Sequence, residues 1–239
     1  QSVSFVGSKL FVKYMQDAYH KMYQYSLTGE IEKTIEMPGG GIGTIGGFGG
    51  EKDDTFTYYT FTSFTYPSEI YKYDITTGQS ELYKKSEVKF DPTQFETKQV
   101  FYTSKDGTKV PMFIVHKKGL EMNGKNPTYL YSYGGFNISL NPNFDLRLIP
   151  WLENGGVYAM PNIRGGGEYG EEWHKGGMLL NKQNVFNDFI AAGEYLVREN
   201  YTNSDKLCIS GRSNGGLLVG ACMTQRPDLF AVAIPGVGV

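Results

Sequence analysis

The stretch from Lys206 to Gly220, K-L-C-I-S-G-R-S-N-G-G-L-L-V-G, constrains the fold more than any other part of the chain. Leu207 to Ser210 read as a short buried strand, and Gly211-Arg212-Ser213-Asn214-Gly215 then matches G-x-S-x-G. A further glycine and an apolar run of helical character follow. Strand, sharp turn and helix form the context that a nucleophile elbow requires. So tight a turn holds its serine in strained backbone geometry, and side chains at the flanking positions would collide with the strand or the helix. It also places the Ser213 hydroxyl at a helix N-terminus, where N–H groups and the helix dipole favour developing negative charge. The pentapeptide alone also describes an ordinary glycine turn; the flanking strand and helix set it apart.

The residues before this stretch supply the rest of a layered α/β unit. Thr97–Thr103 and Lys109–His116 read as strands joined across Asp106-Gly107, a hairpin signal. Thr128–Tyr133 and Gly156–Met160 read as two more. Between Asn184 and Asn200 the apolar residues Val185, Phe186, Phe189, Ile190, Leu196 and Val197 have helical spacing. Gly193 lies on the same face, and Asn181 or Asn184 is a candidate cap. With a helix from about Asn214 to Thr224 and a strand Ala231–Ile234, the order is that of a doubly wound parallel sheet.

Before about Ser86 the pattern is all β. Ser4–Val6, Lys9–Met15, Lys21–Ser26, Thr55–Phe64, Glu69–Ile75 and Glu81–Lys85 read as strands, punctuated by Gly7-Ser8, Thr28-Gly29 and Thr77-Gly78. Pro38 to Gly50 holds eight glycines and reads as a loop or a tight sheet crossing. The run I-Y-K-Y-D-I-T-T-G at Ile70 echoes M-Y-Q-Y-S-L-T-G at Met22, an offset of 48 residues. A strand-only repeat of that size suggests propeller blades, with a β-sandwich as the alternative.

Composition excludes several classes. The net charge of −2 gives no reason to expect nucleic acid or an anionic membrane as partner. No apolar run approaches the roughly 20 residues of a spanning helix. Neither a signal peptide nor a metal-ligand cluster is visible, and no cofactor is implied. The chain opens on Gln1 rather than methionine, so the natural N-terminus is expected upstream. Cys208 and Cys222 are expected as buried thiols beside the elbow rather than as a disulfide.

Ser213 needs a base. The three histidines, His20, His116 and His174, all precede it, and among the 26 residues after it the only carboxylate side chain is Asp228. In the usual order for a serine on such an elbow, acid and histidine come later. Either His174 serves in an unusual arrangement or the sequence is a truncated piece of a longer enzyme; truncation is the expectation. Two further stretches suit the same site. In Tyr131–Asn137, Y-S-Y-G-G-F-N, Tyr133 is placed either to offer a hydroxyl to an oxyanion or to pack as a core aromatic. In Asn162–Gly177, N-I-R-G-G-G-E-Y-G-E-E-W-H-K-G-G, the P-loop lysine pattern is absent and no helix follows the glycines directly, so nucleotide binding is not indicated. His174 beside Trp173 reads as structural. Arg164 and Glu168 are candidates to pair or to order a loop.

Together Tyr133-Gly134-Gly135-Phe136-Asn137, Asn162 to Gly177 and Gly211 to Gly216 closely resemble the prolyl oligopeptidase family of serine peptidases. Ser104-Lys105-Asp106-Gly107-Thr108 and Gln225 to Phe230 extend the resemblance over about Gln94 to Val239. It implies an α/β fold: an incomplete α/β-hydrolase doubly wound sheet at 88–239, preceded at 1–87 by the last blades of a seven-bladed β-propeller. It implies cleavage of short proline-containing peptides on the carboxyl side of proline. Ser213 falls on the nucleophile, Tyr133 and the Asn214 N–H on the oxyanion hole, and Phe136 with Asn214 on the substrate-binding surface. The catalytic acid and histidine are expected beyond Val239. Arg212 departs from the glycine many members carry there. A monomer with peptide substrates and no nucleic-acid or membrane partner is expected, in the cytoplasm or, as the alternative, the periplasm. The alternatives are a sibling peptidase cutting after basic residues, of the oligopeptidase B type, and an inactive binding or structural fragment.

Overall fold

The computed structural model describes residues 2–238 and divides into two compact units, residues 1–92 with 141–145, and residues 93–140 with 146–239. In the first unit, β1 (Ser2–Val6), β2 (Lys9–Gln16), β3 (Tyr19–Tyr25) and β4 (Ile31–Thr34) form one antiparallel sheet in chain order. A second is built identically from β5 (Thr44–Gly49), β6 (Phe56–Thr62), β7 (Glu69–Asp74) and β8 (Ser80–Lys84). Two four-stranded meanders of equal plan are propeller blades. The echo at an offset of 48 residues falls on β3 and β7, the third strand of each. Strand alternation decides what is buried: along β6, Thr57, Tyr59 and Phe61 turn inward while Phe56, Tyr58 and Thr60 face out.

The glycine-rich stretch proved to be part strand. After a short turn at Pro38–Gly40 the chain enters β5, where a register shift between Gly47 and Gly49 puts Phe48 at φ 64°. This bulge aims the Phe48 ring between Phe11 and Tyr59, stacked at centroid distances of 5.0 and 4.8 Å. His20 accepts a hydrogen bond on Nδ1 from Ile45 N at 2.9 Å, linking the blades. Burial, and then the charge of Lys13, lower its pKa to about 4.

In the second unit β9 (Phe95–Thr103), β10 (Lys109–Lys117), β11 (Thr128–Tyr131), β12 (Val157–Pro161), β13 (Leu207–Arg212) and β14 (Val232–Gly236) form one sheet in the order β14-β13-β11-β12-β10-β9. The β9–β10–β12 pairings are antiparallel and the β12–β11–β13–β14 pairings parallel. β10 is buried from Val110 to His116, so both faces of the sheet are covered there. Val110, Met112 and Ile114 join one core with Leu130, Ala159 and Ile209. The helices are α1 (Ile149–Glu153), α2 (Glu171–Lys175), α3 (Lys182–Arg198) and α4 (Asn214–Gln225). α3 contributes Val185, Phe189, Ala192 and Leu196 to that core, and α4 Leu218, Val219 and Cys222. A Cβ on Gly193 would stand 3.2 to 3.3 Å from Phe230, Leu207 and Leu229, the close packing its position suggested.

The expected cap of α3 differs. Asn181 occupies the N-cap position without a side-chain capping bond; its amide donates to Lys175 O, and that of Asn184 to Gly176 O. Both asparagines hold the preceding loop instead. The thiols are unpaired: Cys222 is buried, which pushes it up to about 12, and Cys208 is half-buried.

Candidate active site

From β11 the chain goes to β12 on one side and later to β13 on the other, so the strand order reverses at β11. In open α/β sheets ligands bind in the crevice outside the carboxyl ends of the strands at such a reversal. Ser213 follows β13, and Tyr133 lies two residues past the end of β11, so the sheet brings both to that crevice. The β11 ladder stops at Tyr131 rather than Tyr133, and Ser132 Oγ donates to Pro161 O at 2.7 Å.

Ser213 adopts φ 57° and ψ −123°, a strained conformation for a residue with a side chain. Its N–H donates to Gly236 O at 2.9 Å, and its carbonyl accepts from Gly216 N at 2.7 Å and Leu217 N at 3.1 Å. The flanking positions need glycine: a Cβ on Gly211 would lie inside contact distance of the Gly215 backbone, and one on Gly216 would lie 2.5 Å from Gly236 O. Ser213 is the N-cap of α4, so the N–H of Asn214 has no acceptor within the helix. The Arg212 side chain is exposed.

Asn214 is only 4% exposed. Its Nδ2 donates to Tyr133 O at 2.6 Å and its Oδ1 accepts from Lys182 Nζ at 2.9 Å. The side chain is thus committed, and what Asn214 offers the crevice is its backbone N–H. The Tyr133 ring reaches within 3.7 Å of where a Cβ on Gly215 would stand, and its hydroxyl makes no hydrogen bond to the described residues. The glycines after it permit close approach: a Cβ on Gly134 would strike Val185 and Ile163, and one on Gly135 would strike Asn214. Phe136 and Asn137 follow at φ 53° and 57°. Phe136 is 69% exposed, a large aromatic presented to solvent.

The loop from Asn162 to Gly177 braces this segment. Gly165 O accepts from Asn137 N at 3.1 Å and lies 2.9 Å from His174 Nδ1. Asn137 N also lies 3.2 Å from His174 Nδ1. Because that N–H already has Gly165 O as an acceptor, the tautomer with Nδ1–H donating to Gly165 O leaves both N–H groups satisfied, and His174 acts as a clamp. Arg164 and Glu168 do not pair with each other. Arg164 binds Asp188 through N, Nε and Nη2, and Asp106 through Nη1 and Nη2. Glu168 accepts from Leu140 N at 2.8 Å and Asn162 Nδ2 at 3.1 Å, and burial raises its pKa. Asp228, the carboxylate downstream of the serine, is taken by Arg226 at 2.8 and 2.9 Å.

Sequence reading missed Lys182 and Asp188. Asp188 carried a signal: it interrupts the apolar face of α3 between Val185 and Phe189, and an ionisable residue there needs a buried partner. Lys182 carried none, as a lysine beginning a helix reads as solvent-facing.

The serine on a strained strand–helix turn, at the switch point of a mixed sheet, defines the start of an α/β-hydrolase domain; the blades before it define a propeller domain. Comparison with known sequences gives the same two parts. The profile of the Prolyl oligopeptidase family matches residues 142–239, and that of the prolyl oligopeptidase N-terminal beta-propeller domain matches residues 1–86. The chain belongs to the prolyl oligopeptidase family. It is 58% identical over 233 residues to the prolyl endopeptidase of Elizabethkingia meningoseptica, covering 98% of this chain and 33% of that protein. It is 43% identical over 235 residues to the prolyl endopeptidase of Dictyostelium discoideum, covering 97% and 30%. Among solved structures, a chain from a structural and mechanistic analysis of two prolyl endopeptidases superposes with a TM-score of 0.87 at 52% identity, covering 97% of this chain and 34% of that one. The apo prolyl oligopeptidase B of Galerina marginata gives 0.89 at 37%, covering 100% and 35%. The chain spans about a third of the length of these relatives.

Proposed function

We propose that these residues are part of a serine endopeptidase that cleaves short peptides on the carboxyl side of proline through an acyl-enzyme on Ser213. The observation that carries the reading is the strained Ser213 at the N-terminus of α4, whose neighbour Asn214 is hydrogen-bonded to Tyr133 in the segment after β11. The names of the relatives supply the proline preference. In this reading a histidine removes the Ser213 proton as the serine oxygen attacks the carbonyl carbon of the proline. The Asn214 N–H and the Tyr133 hydroxyl receive the oxyanion, the histidine returns the proton to the leaving amine, and water releases the acyl group. Phe136 offers an apolar wall to the proline side.

We place the base and its acid partner in chain beyond Val239. Chain order supports this: on a serine elbow of this kind the acid and histidine follow the serine, and His20, His116 and His174 all precede Ser213. The test is Tyr133→Phe in the full-length protein, assayed on a chromogenic proline peptide. Loss of one oxyanion donor lowers kcat by about a hundredfold or more; unchanged turnover removes Tyr133 from the role.

A further inference from the structure

Lys182 is the first residue of α3, where a cation opposes the positive end of the helix dipole. It is half-buried, and no carboxylate neutralises it in the contacts of its ammonium group: Nζ donates to Gly134 O at 3.1 Å and to Asn214 Oδ1 at 2.9 Å. The Phe186 ring lies 6.0 Å from Nζ, one turn along the helix. Burial lowers its pKa. A lysine in this position costs stability on two counts, helix dipole and desolvation. Residues that break local rules in this way are expected where function requires them.

Its two acceptors identify the function. Gly134 follows Tyr133 directly, and Asn214 follows Ser213 directly. Asn214 Nδ2 in turn donates to Tyr133 O at 2.6 Å. One ammonium group and one amide therefore bind the end of the β11 segment to the first turn of α4 by three hydrogen bonds. We propose that Lys182 is a positioning residue that fixes the spacing between the Tyr133 hydroxyl and the Asn214 N–H, the two donors of the oxyanion site. This rests on the peptidase reading above. Because Lys182 acts on geometry that matters only when charge develops on the carbonyl oxygen, it should affect kcat rather than substrate binding.

The experiment is steady-state kinetics of the full-length protein on a chromogenic proline peptide, with Lys182→Met, Lys182→Arg and Asn214→Ala, each alone and combined with Tyr133→Phe. Misplacement of a catalytic donor by about 1 Å can cost on the order of a hundredfold. We expect Lys182→Met to lower kcat by about 10- to 100-fold with KM changed less than about threefold. Lys182→Arg should restore part of the loss. Asn214→Ala, which keeps the backbone N–H, should reproduce it. In the Tyr133→Phe background the same substitutions should cost only a fewfold, because the donor they position is gone. An equal kcat loss with and without the Tyr133 hydroxyl, a rise in KM alone, or an inert Tyr133→Phe overturns the proposal. If Lys182→Met does not fold, the arginine variant and Asn214→Ala make the same comparison. Ser213→Ala separates the two levels: turnover that survives it refutes the peptidase reading, whereas abolished turnover leaves Lys182 to be judged on its own cycle.

Discussion

Asp188 should be the most consequential carboxylate of the second unit. It is fully buried, and its two oxygens accept from Arg164 N at 3.1 Å, Arg164 Nε at 2.9 Å, Arg164 Nη2 at 2.6 Å and Ser104 Oγ. The Tyr102 hydroxyl donates to its backbone carbonyl at 2.8 Å. Asp188→Ala leaves the Arg164 side chain, 9% exposed, with Asp106 as its remaining carboxylate. Removing one partner of a buried ion pair costs about 3–5 kcal/mol. Asp106 binds the same guanidinium but its side chain is 43% exposed, so Asp106→Ala should cost about 1 kcal/mol or less. The assay is urea denaturation of the full-length protein, following the transition that contains this unit. With a urea slope near 3 kcal/mol/M, the midpoint falls by about 1 M or more for Asp188→Ala and by about 0.3 M or less for Asp106→Ala. Replacing both partners, Arg164→Met with Asp188→Leu, should recover part of the loss, because no buried charge is then left alone. Equal costs for the two single variants, or no recovery in the double variant, would refute this reasoning. The cluster also matters to the crevice. Arg164 leads into Gly165, where a Cβ would stand 2.6 Å from Gly134 O, so loosening the arginine loosens the brace behind Tyr133.

Further outcomes follow from the same structure. The Arg164 guanidinium lowers the pKa of Asp106 to about 2 from the ordinary 3.8, so its contribution is present above about pH 4 and lost as pH falls toward 2. Acid titration of Asp106→Asn should lack that part of the slope. His20 has the opposite charge relation. Its folded pKa of about 4 lies below the unfolded 6.5, so only the unfolded state binds the proton between those values. Stability of the propeller unit should fall as pH drops from 6.5 to 4, by at most about 3 kcal/mol, and His20→Gln should flatten that slope in pH-dependent melts. Gly211→Ala should destabilise the elbow by about 1–3 kcal/mol and reduce turnover, since its Cβ meets the Gly215 backbone. Gly220→Ala, with open space at its Cβ inside α4, should stabilise by up to about 1 kcal/mol. A reversed order in thermal melts would contradict the packing account of the elbow.

The legible parts of this fold were those written in local chemistry. G-R-S-N-G between a strand and an apolar helix fixed the elbow, because a turn that tight admits few residue types. The repeat of Met22–Gly29 at Ile70 marked the blades, because equivalent strands face equivalent neighbours. The strand inside Pro38–Gly50 was hidden, since glycine supplies no alternation; Phe48 enters the core only through a bulge that its neighbours Gly47 and Gly49 permit. Tertiary partners were hidden for a different reason. Arg164 offered Glu168 four residues away, yet binds Asp188 and Asp106, which are 24 and 58 positions distant in sequence. Lys182 gave no sign of its role until Gly134 and Asn214 were seen around its Nζ.

Ser213 as a nucleophile held ready by the elbow is the centre of the proposed peptidase chemistry. The most direct measurement is reaction of the full-length protein with a fluorophosphonate carrying a proline-peptide recognition element, followed by peptide mapping by mass spectrometry. The account predicts a single stoichiometric adduct on Ser213, loss of peptidase activity in step with labelling, and no adduct in Ser213→Ala. An adduct on another residue, or undiminished proline-peptide turnover in Ser213→Ala, would contradict it.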